Sequence, residues 1–127
     1  MLDFISFSSG PAAGSAGAAG ATGYSPPLSG RVLAVQVEFV GSPPASTCTA
    51  LSAEGDLQGE AILWLEGANQ DARLYPRRPV QDSGGQNLSF DGCNPLCTPY
   101  LVHGQLRGAI ANANPGDEAV FKVWLEV

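Results

Sequence analysis

Three cysteines, one histidine and a scatter of carboxylates are the residues of this chain with chemistry of their own. Cys48, Cys93 and Cys97 could act as nucleophiles, disulfide partners or soft metal ligands. Their odd number cannot close a disulfide framework within one chain, although Cys97 could pair with Cys93 or either of them with Cys48. A zinc site would need a second ligand cluster or flanking histidines, and the sequence offers neither. A Cys-His pair can be drawn from Cys93 or Cys97 to His103, the arrangement of a small cysteine hydrolase, but neither cysteine lies in a recognisable nucleophile motif. His103 falls inside a strand pattern without a placed serine, cysteine or carboxylate partner, so a structural role is expected. Paired carboxylates could serve a glycosidase. Yet Asp56, Asp71, Asp82, Asp91 and Asp117 all sit near turns, where aspartate caps backbone amides, and none shows EF-hand spacing. The expectation is no enzyme, no cofactor and no metal.

What remains is chemistry of recognition. Tyr75-Pro76-Arg77-Arg78-Pro79 places two of the six basic residues beside an aromatic, and arginine with tyrosine is a common interface pairing. Trp64 and Trp124 fall on the less apolar sides of their strand patterns. At the N-terminus, Leu2, Phe4, Ile5 and Phe7 form an apolar tip. The candidate protein-interface residues are therefore Leu2, Phe4, Ile5, Phe7, Tyr75, Arg77, Arg78 and Trp124.

The elements that must carry these residues are strands. In Arg31 to Val40, Leu33, Val35, Val37 and Phe39 share one face while Gln36 and Glu38 take the other. Gly41-Ser42-Pro43-Pro44 ends this strand, because consecutive prolines cannot donate to a ladder. Shorter strands are expected at Thr47 to Ala53, Glu60 to Glu66, Ala72 to Tyr75, Asn87 to Phe90 and Tyr100 to Ala111, punctuated by Gly, Asn and Asp. Gly104 and Gly108 argue against a helix in the last of these. After an Asn114-Pro115-Gly116-Asp117 turn, Phe121, Val123, Leu125 and Val127 alternate inward with Lys122, Trp124 and Glu126 outward. Six or more short strands without a capped amphipathic helix predict an all-β fold, an antiparallel β-sandwich or jelly-roll-like barrel over residues 24–127. Residues 1–23 read differently. SSGPAAGSAGAAGATG has no large side chain to bury, and glycine's ordering entropy opposes a fixed fold, so a flexible, extended N-terminal arm is expected there.

Composition narrows the partners. Twelve acidic against six basic residues give a net charge of −6, which disfavours nucleic acid and anionic membranes. Only 14% of residues are charged, well under the roughly 25% of ordinary domains, so much of the surface is expected to be covered by neighbours in an assembly. The Met1-Leu2-Asp3-Phe4 start lacks the basic region of a signal peptide, the first positive charge being Arg31, so Sec-type export is not indicated. The glycosylation-like Asn87-Leu88-Ser89 is then irrelevant. No apolar run approaches the roughly 18 residues of a membrane span, and the chain reads as soluble.

GYSPPLSGRVLAVQVEFVGSPPAST, LYPRRPVQD, SFDG, PYLVHGQLRGAIANA and PGDEAVFKVWLEV together resemble the capsid decoration, or cement, proteins of tailed bacteriophages, across about residues 23–127. The resemblance implies a structural virion protein, made in the host cytoplasm and seated on the outer surface of the phage head. There it would bind the major capsid protein, commonly as a trimer, and bring no catalytic residues. The three cysteines and the long Ala/Gly-rich arm depart from that pattern. On this reading the arm straps over adjacent subunits. The alternative is a carbohydrate- or receptor-binding β-sandwich of a phage tail or surface protein, with Trp64, Trp124 or Tyr75 as stacking platforms.

Overall fold

The structure, a computed structural model, describes residues 1–54, 60–89 and 96–127. Cys93, Phe90, Asp56 and Asp91, with the SFDG phrase, lie wholly or partly outside the described residues. The strands are β1 (Leu2–Ser8), β2 (Ala19–Tyr24), β3 (Leu28–Val40), β4 (Cys48–Ala53), β5 (Glu60–Leu65), β6 (Ala72–Leu74), β7 (Arg78–Pro79), β8 (Cys97–Thr98), β9 (Tyr100–Gly104), β10 (Leu106–Ala113) and β11 (Glu118–Glu126). All pairings are antiparallel. One sheet runs β1-β11-β3-β6, with β9 also paired to the long β3. A second runs β2-β10-β4-β5, and β7-β8 form a small ladder of their own. The fold is an all-β antiparallel sandwich.

The alternating apolar positions meet between the sheets. Val32, Val35, Val37, Phe121, Val123 and Leu125 come from one sheet, Leu51, Ile62, Leu106 and Ile110 from the other, all buried. Each such side chain contributes about 1.5–3 kcal/mol relative to exposure. The expected strand from Tyr100 to Ala111 divides at Gln105, because β9 belongs to the first sheet and β10 to the second. Gly104, at φ 113°, makes that corner. Beside it the chain crosses between sheets again from β2 to β3, and buried Ser25 clamps the two crossings. Its amide donates to the Leu106 carbonyl at 2.9 Å, and its hydroxyl accepts the Leu106 amide at 2.8 Å. Gly108 has a second use. A Cβ there would lie 2.5 Å from the Phe121 ring and 2.9 Å from that of Phe7, so the absent side chain is what lets these rings lie flat on β10.

Three strand expectations need correction. Val32 rather than Leu33 joins Val35 in the core, because the β3-β11 register shifts between Ala34 opposite Trp124 and Val32 opposite Leu125. The extra residue is a β-bulge, which turns both Leu33 and Ala34 away from the core. Val127 lies past the end of β11 and is exposed rather than inward. At Asn87 to Ser89 the described residues form isolated bridges, Asn87 opposite Gln81, rather than a continuous strand.

The larger correction concerns residues 1–23, expected as a flexible arm. Every residue of β1 pairs with β11, from Leu2 opposite Glu126 to Ser8 opposite Val120, and β2 pairs with β10. The segment between them is tied by backbone hydrogen bonds from Ser9 to Ala119, Ala12 to Asp117 and Gly116 to Ala12. The small residues are there for fit, since Ala12 and Ala19 are buried and a Cβ on Gly23 would stand 1.9 Å from the Ser8 carbonyl oxygen. β1 and β2 thus continue the two sheets at adjoining edges, close enough that only glycine fits. Low side-chain volume, read as an inability to fold, is instead close packing of backbones. Gly23→Ala is expected to cost about 1–3 kcal/mol, because the obstructing atom is backbone and cannot rotate away. Urea denaturation measures this, and a midpoint equal to wild type would mean that β1 and β2 do not meet at this point.

Met1 and Val127 exchange both backbone hydrogen bonds, the Met1 amine and the Val127 amide being the donors. In an antiparallel pair this fixes odd-numbered residues of β1 as those bonded to β11, so even-numbered amides face outward along the sheet edge. One of these, that of Phe4, donates to the Asp3 carboxylate at 2.8 Å.

Candidate functional site

The outward face of the first sheet carries the cluster with the strongest claim to function. Even-numbered side chains of β1 and β11 point away from the core, which puts Leu2, Phe4 and Trp124 on this face. The bulge adds Leu33 and Ala34 from β3, and β6 with the residue after it adds Arg73 and Tyr75. Leu2, Leu33, Ala34, Arg73, Tyr75 and Trp124 line a shallow cleft of about 220 Å³ that crosses four neighbouring strands. Phe4 packs on Trp124 with ring centroids 5.2 Å apart. On the Trp124 ring lies the Arg73 guanidinium, 4.9 Å from the centroid. That is cation–π distance, worth about 0.5–1 kcal/mol at an exposed site.

A polar rail runs beside the cleft. Lys122 Nζ lies 2.9 Å from Glu38 Oε1, which also accepts the Gln36 side-chain amide at 2.9 Å. Gln36 Oε1 in turn accepts Arg73 Nη2 at 2.8 Å and Nε at 3.3 Å. Glu38 is thereby neutralised by Lys122, while Arg73 is held by a neutral amide. Arg77 donates from Nη1 to the Leu33 carbonyl at 3.0 Å and to that of Pro76 at 2.7 Å, which braces the bulge. Among the described residues, no ion pair joins Arg73 or Arg77 to a carboxylate.

The sequence-derived candidates divide accordingly. Leu2, Phe4, Tyr75 and Trp124 come together on this face, with Leu2 65% and Tyr75 61% exposed, and Arg77 stands beside them. Phe7 and Ile5 do not belong to the surface. Being odd-numbered on β1 they face the core, where Phe7 stacks on Phe121 at 5.3 Å and Ile5 is half-buried against the same cluster. Arg78 sits in β7, half-buried and opposite Thr98. Trp64, 64% exposed, lies on β5 of the other sheet and shares no platform with Trp124. Leu33, Ala34 and Arg73 were missed. The four consecutive apolar residues Val32-Leu33-Ala34-Val35 were the available sign of a bulge, because strict alternation allows no such run.

Among the described residues, those of possible chemistry are dispersed or structural. His103 has a partner after all, since its Nδ1 lies 2.8 Å from the Ser29 hydroxyl, its register neighbour on β3. Both are exposed, and the bond ties strands at the surface. Asp82 accepts the amides of Gly84 and Gln86. Buried Asp117 accepts those of Ser42 and Asn114, and Asp71 that of Phe39. Cys48 is a free thiol that accepts from the Asn112 side-chain amide. Among the described residues, no group of three or more His, Cys, Asp or Glu side chains could hold a metal ion, and no helix is long and apolar enough to cross a membrane.

No family model matches this sequence, and no curated protein aligns with it significantly. Among solved structures, one described as "Crystal Structure of FLHE" aligns over 99% of this chain and 95% of its own, at 12% identity and a TM-score of 0.39. A likeness at that level carries no functional argument. The cleft therefore has to be read from its own residues.

Proposed function

We propose that this protein is a structural virion component, a decoration protein that docks on the outer surface of a phage capsid lattice through the outward face of its five-stranded sheet. The observation that carries the docking mode is the Leu2, Phe4, Leu33, Tyr75 and Trp124 cluster, an aromatic and aliphatic patch fixed on four strands. Clustered aromatics flanked by arginine are the residue types that anchor protein interfaces. Supporting the capsid as partner are the low charge of the chain and the resemblance of its sequence phrases to those of decoration proteins. Assembly as a trimer belongs to the same proposal, since many weak contacts on a repeating lattice add through multivalency.

A glycan-binding reading would use the same aromatics as stacking platforms. The one charged group lining the cleft, the Arg73 guanidinium, donates without accepting, whereas sugar hydroxyls call for donors and acceptors together. A glycan array tests it directly.

Cosedimentation with mature capsids that lack this protein tests the decoration reading. The wild-type chain is expected to sediment with them, and Trp124→Ala to bind at least about tenfold more weakly, as for an aromatic hot spot. A folded wild-type protein that stays in the supernatant while binding a soluble ligand would sink it.

A further inference from the structure

We infer that the Trp124 cleft is a two-point acceptor for an extended acidic segment of a partner protein, taking one apolar side chain between Leu2, Leu33 and Tyr75 and a carboxylate on Arg73. This rests on the docking reading above and names the chemistry of what docks. Size supports the first point. At about 220 Å³ the cleft falls below the roughly 300 Å³ at which small-molecule sites begin, so it suits a single inserted side chain.

Charge supports the second. The protein as a whole is acidic, with a net charge of −6, yet this face presents a guanidinium that no described carboxylate neutralises. Lys122 satisfies Glu38, and Gln36 offers Arg73 only an amide oxygen. Gln36 takes the Nε–Nη2 edge and the Trp124 ring holds the plane, which leaves the Nη1–Nη2 edge for the two parallel hydrogen bonds of a carboxylate. Gln36 is thus a positioning residue. Arg77, fixed beside the bulge, adds a second positive charge. A segment bearing an apolar residue and an acidic one two positions later presents both on one side, about 7 Å apart when extended.

The test uses the full chain and an acetylated, amidated six-residue peptide carrying phenylalanine and, two positions on, aspartate. Nitrogen-15 NMR follows the Trp124 indole and Arg73 Nε resonances, with Trp64→Phe removing the other indole signal. The expected result is a saturable shift of both resonances. Affinity should fall at least about tenfold for the peptide with asparagine in place of aspartate, and likewise for Arg73→Gln. Arg73→Lys should recover only part of it, because charge is kept and the fork is lost. Arg73 is exposed, and an unchanged amide spectrum elsewhere reports that each variant is folded. Equal binding of the asparagine peptide, or full affinity in Arg73→Gln, overturns the inference. So does a stronger Trp124 shift from a neutral oligosaccharide, or one from raising the protein concentration alone, which would mark a second copy as occupant. If capsid binding persists undiminished in Arg73→Gln, this inference fails and the docking reading stands. If the wild-type chain does not bind capsids, the docking reading itself fails.

Discussion

Removal of residues 1–23 is expected to abolish cooperative unfolding altogether. The truncation deletes β1 and nearly all of β2, leaving β11 and β10 as new open edges. It also removes Phe7, whose loss from a core alone costs about 3–5 kcal/mol, and buried Ala12 and Ala19. Against a total stability of about 5–15 kcal/mol for a domain of this size, these losses exceed what the remaining strands supply. Circular dichroism during a thermal ramp distinguishes the outcomes. A sharp transition retained by residues 24–127 would restore the view of the N-terminal segment as a dispensable strap.

Phe121→Ala is the point substitution with the largest expected effect, a loss of about 3–5 kcal/mol. The ring is fully buried, stacks on Phe7 and covers the bare Cα of Gly108. Neighbouring backbone cannot collapse into the space it leaves, because β11 is paired on both sides. Chemical denaturation of Phe121→Ala, Phe7→Ala and the double variant would also give the coupling of the two rings, expected at about 0.5–1.5 kcal/mol beyond area burial. A single-variant loss under about 1 kcal/mol would show that the rings do not share one packed core.

How far the sequence spoke depended on side-chain periodicity. β3 and β11 are legible because apolar residues alternate along most of their length, and β4, β5 and β6 because turn residues bound them, which also yields the all-β class. β1 and β2 are not. β1 reads as the tip of an arm because a featureless stretch follows it, and β2, with the sequence Ala-Gly-Ala-Thr-Gly-Tyr, carries no period since its fitness lies in atoms it lacks. The split at Gln105 was hidden because alternation continues through a corner between sheets. At the cleft, Trp124, Tyr75, Leu2 and Phe4 could be named individually as exposed anchors. Their meeting could not, because it depends on β1 joining β11 and on one surplus residue in β3.

The hydrogen bond from the Phe4 amide to the Asp3 carboxylate bears on how copies of this molecule coexist. β1 is a seven-residue edge with Leu, Phe and Ile in its sequence, the kind of ribbon that recruits further chains. An incoming strand would have to displace the carboxylate and bury its charge to reach that amide. The carboxylate thus works against strand addition at the middle of this edge, where an unguarded row of amides would invite a second copy.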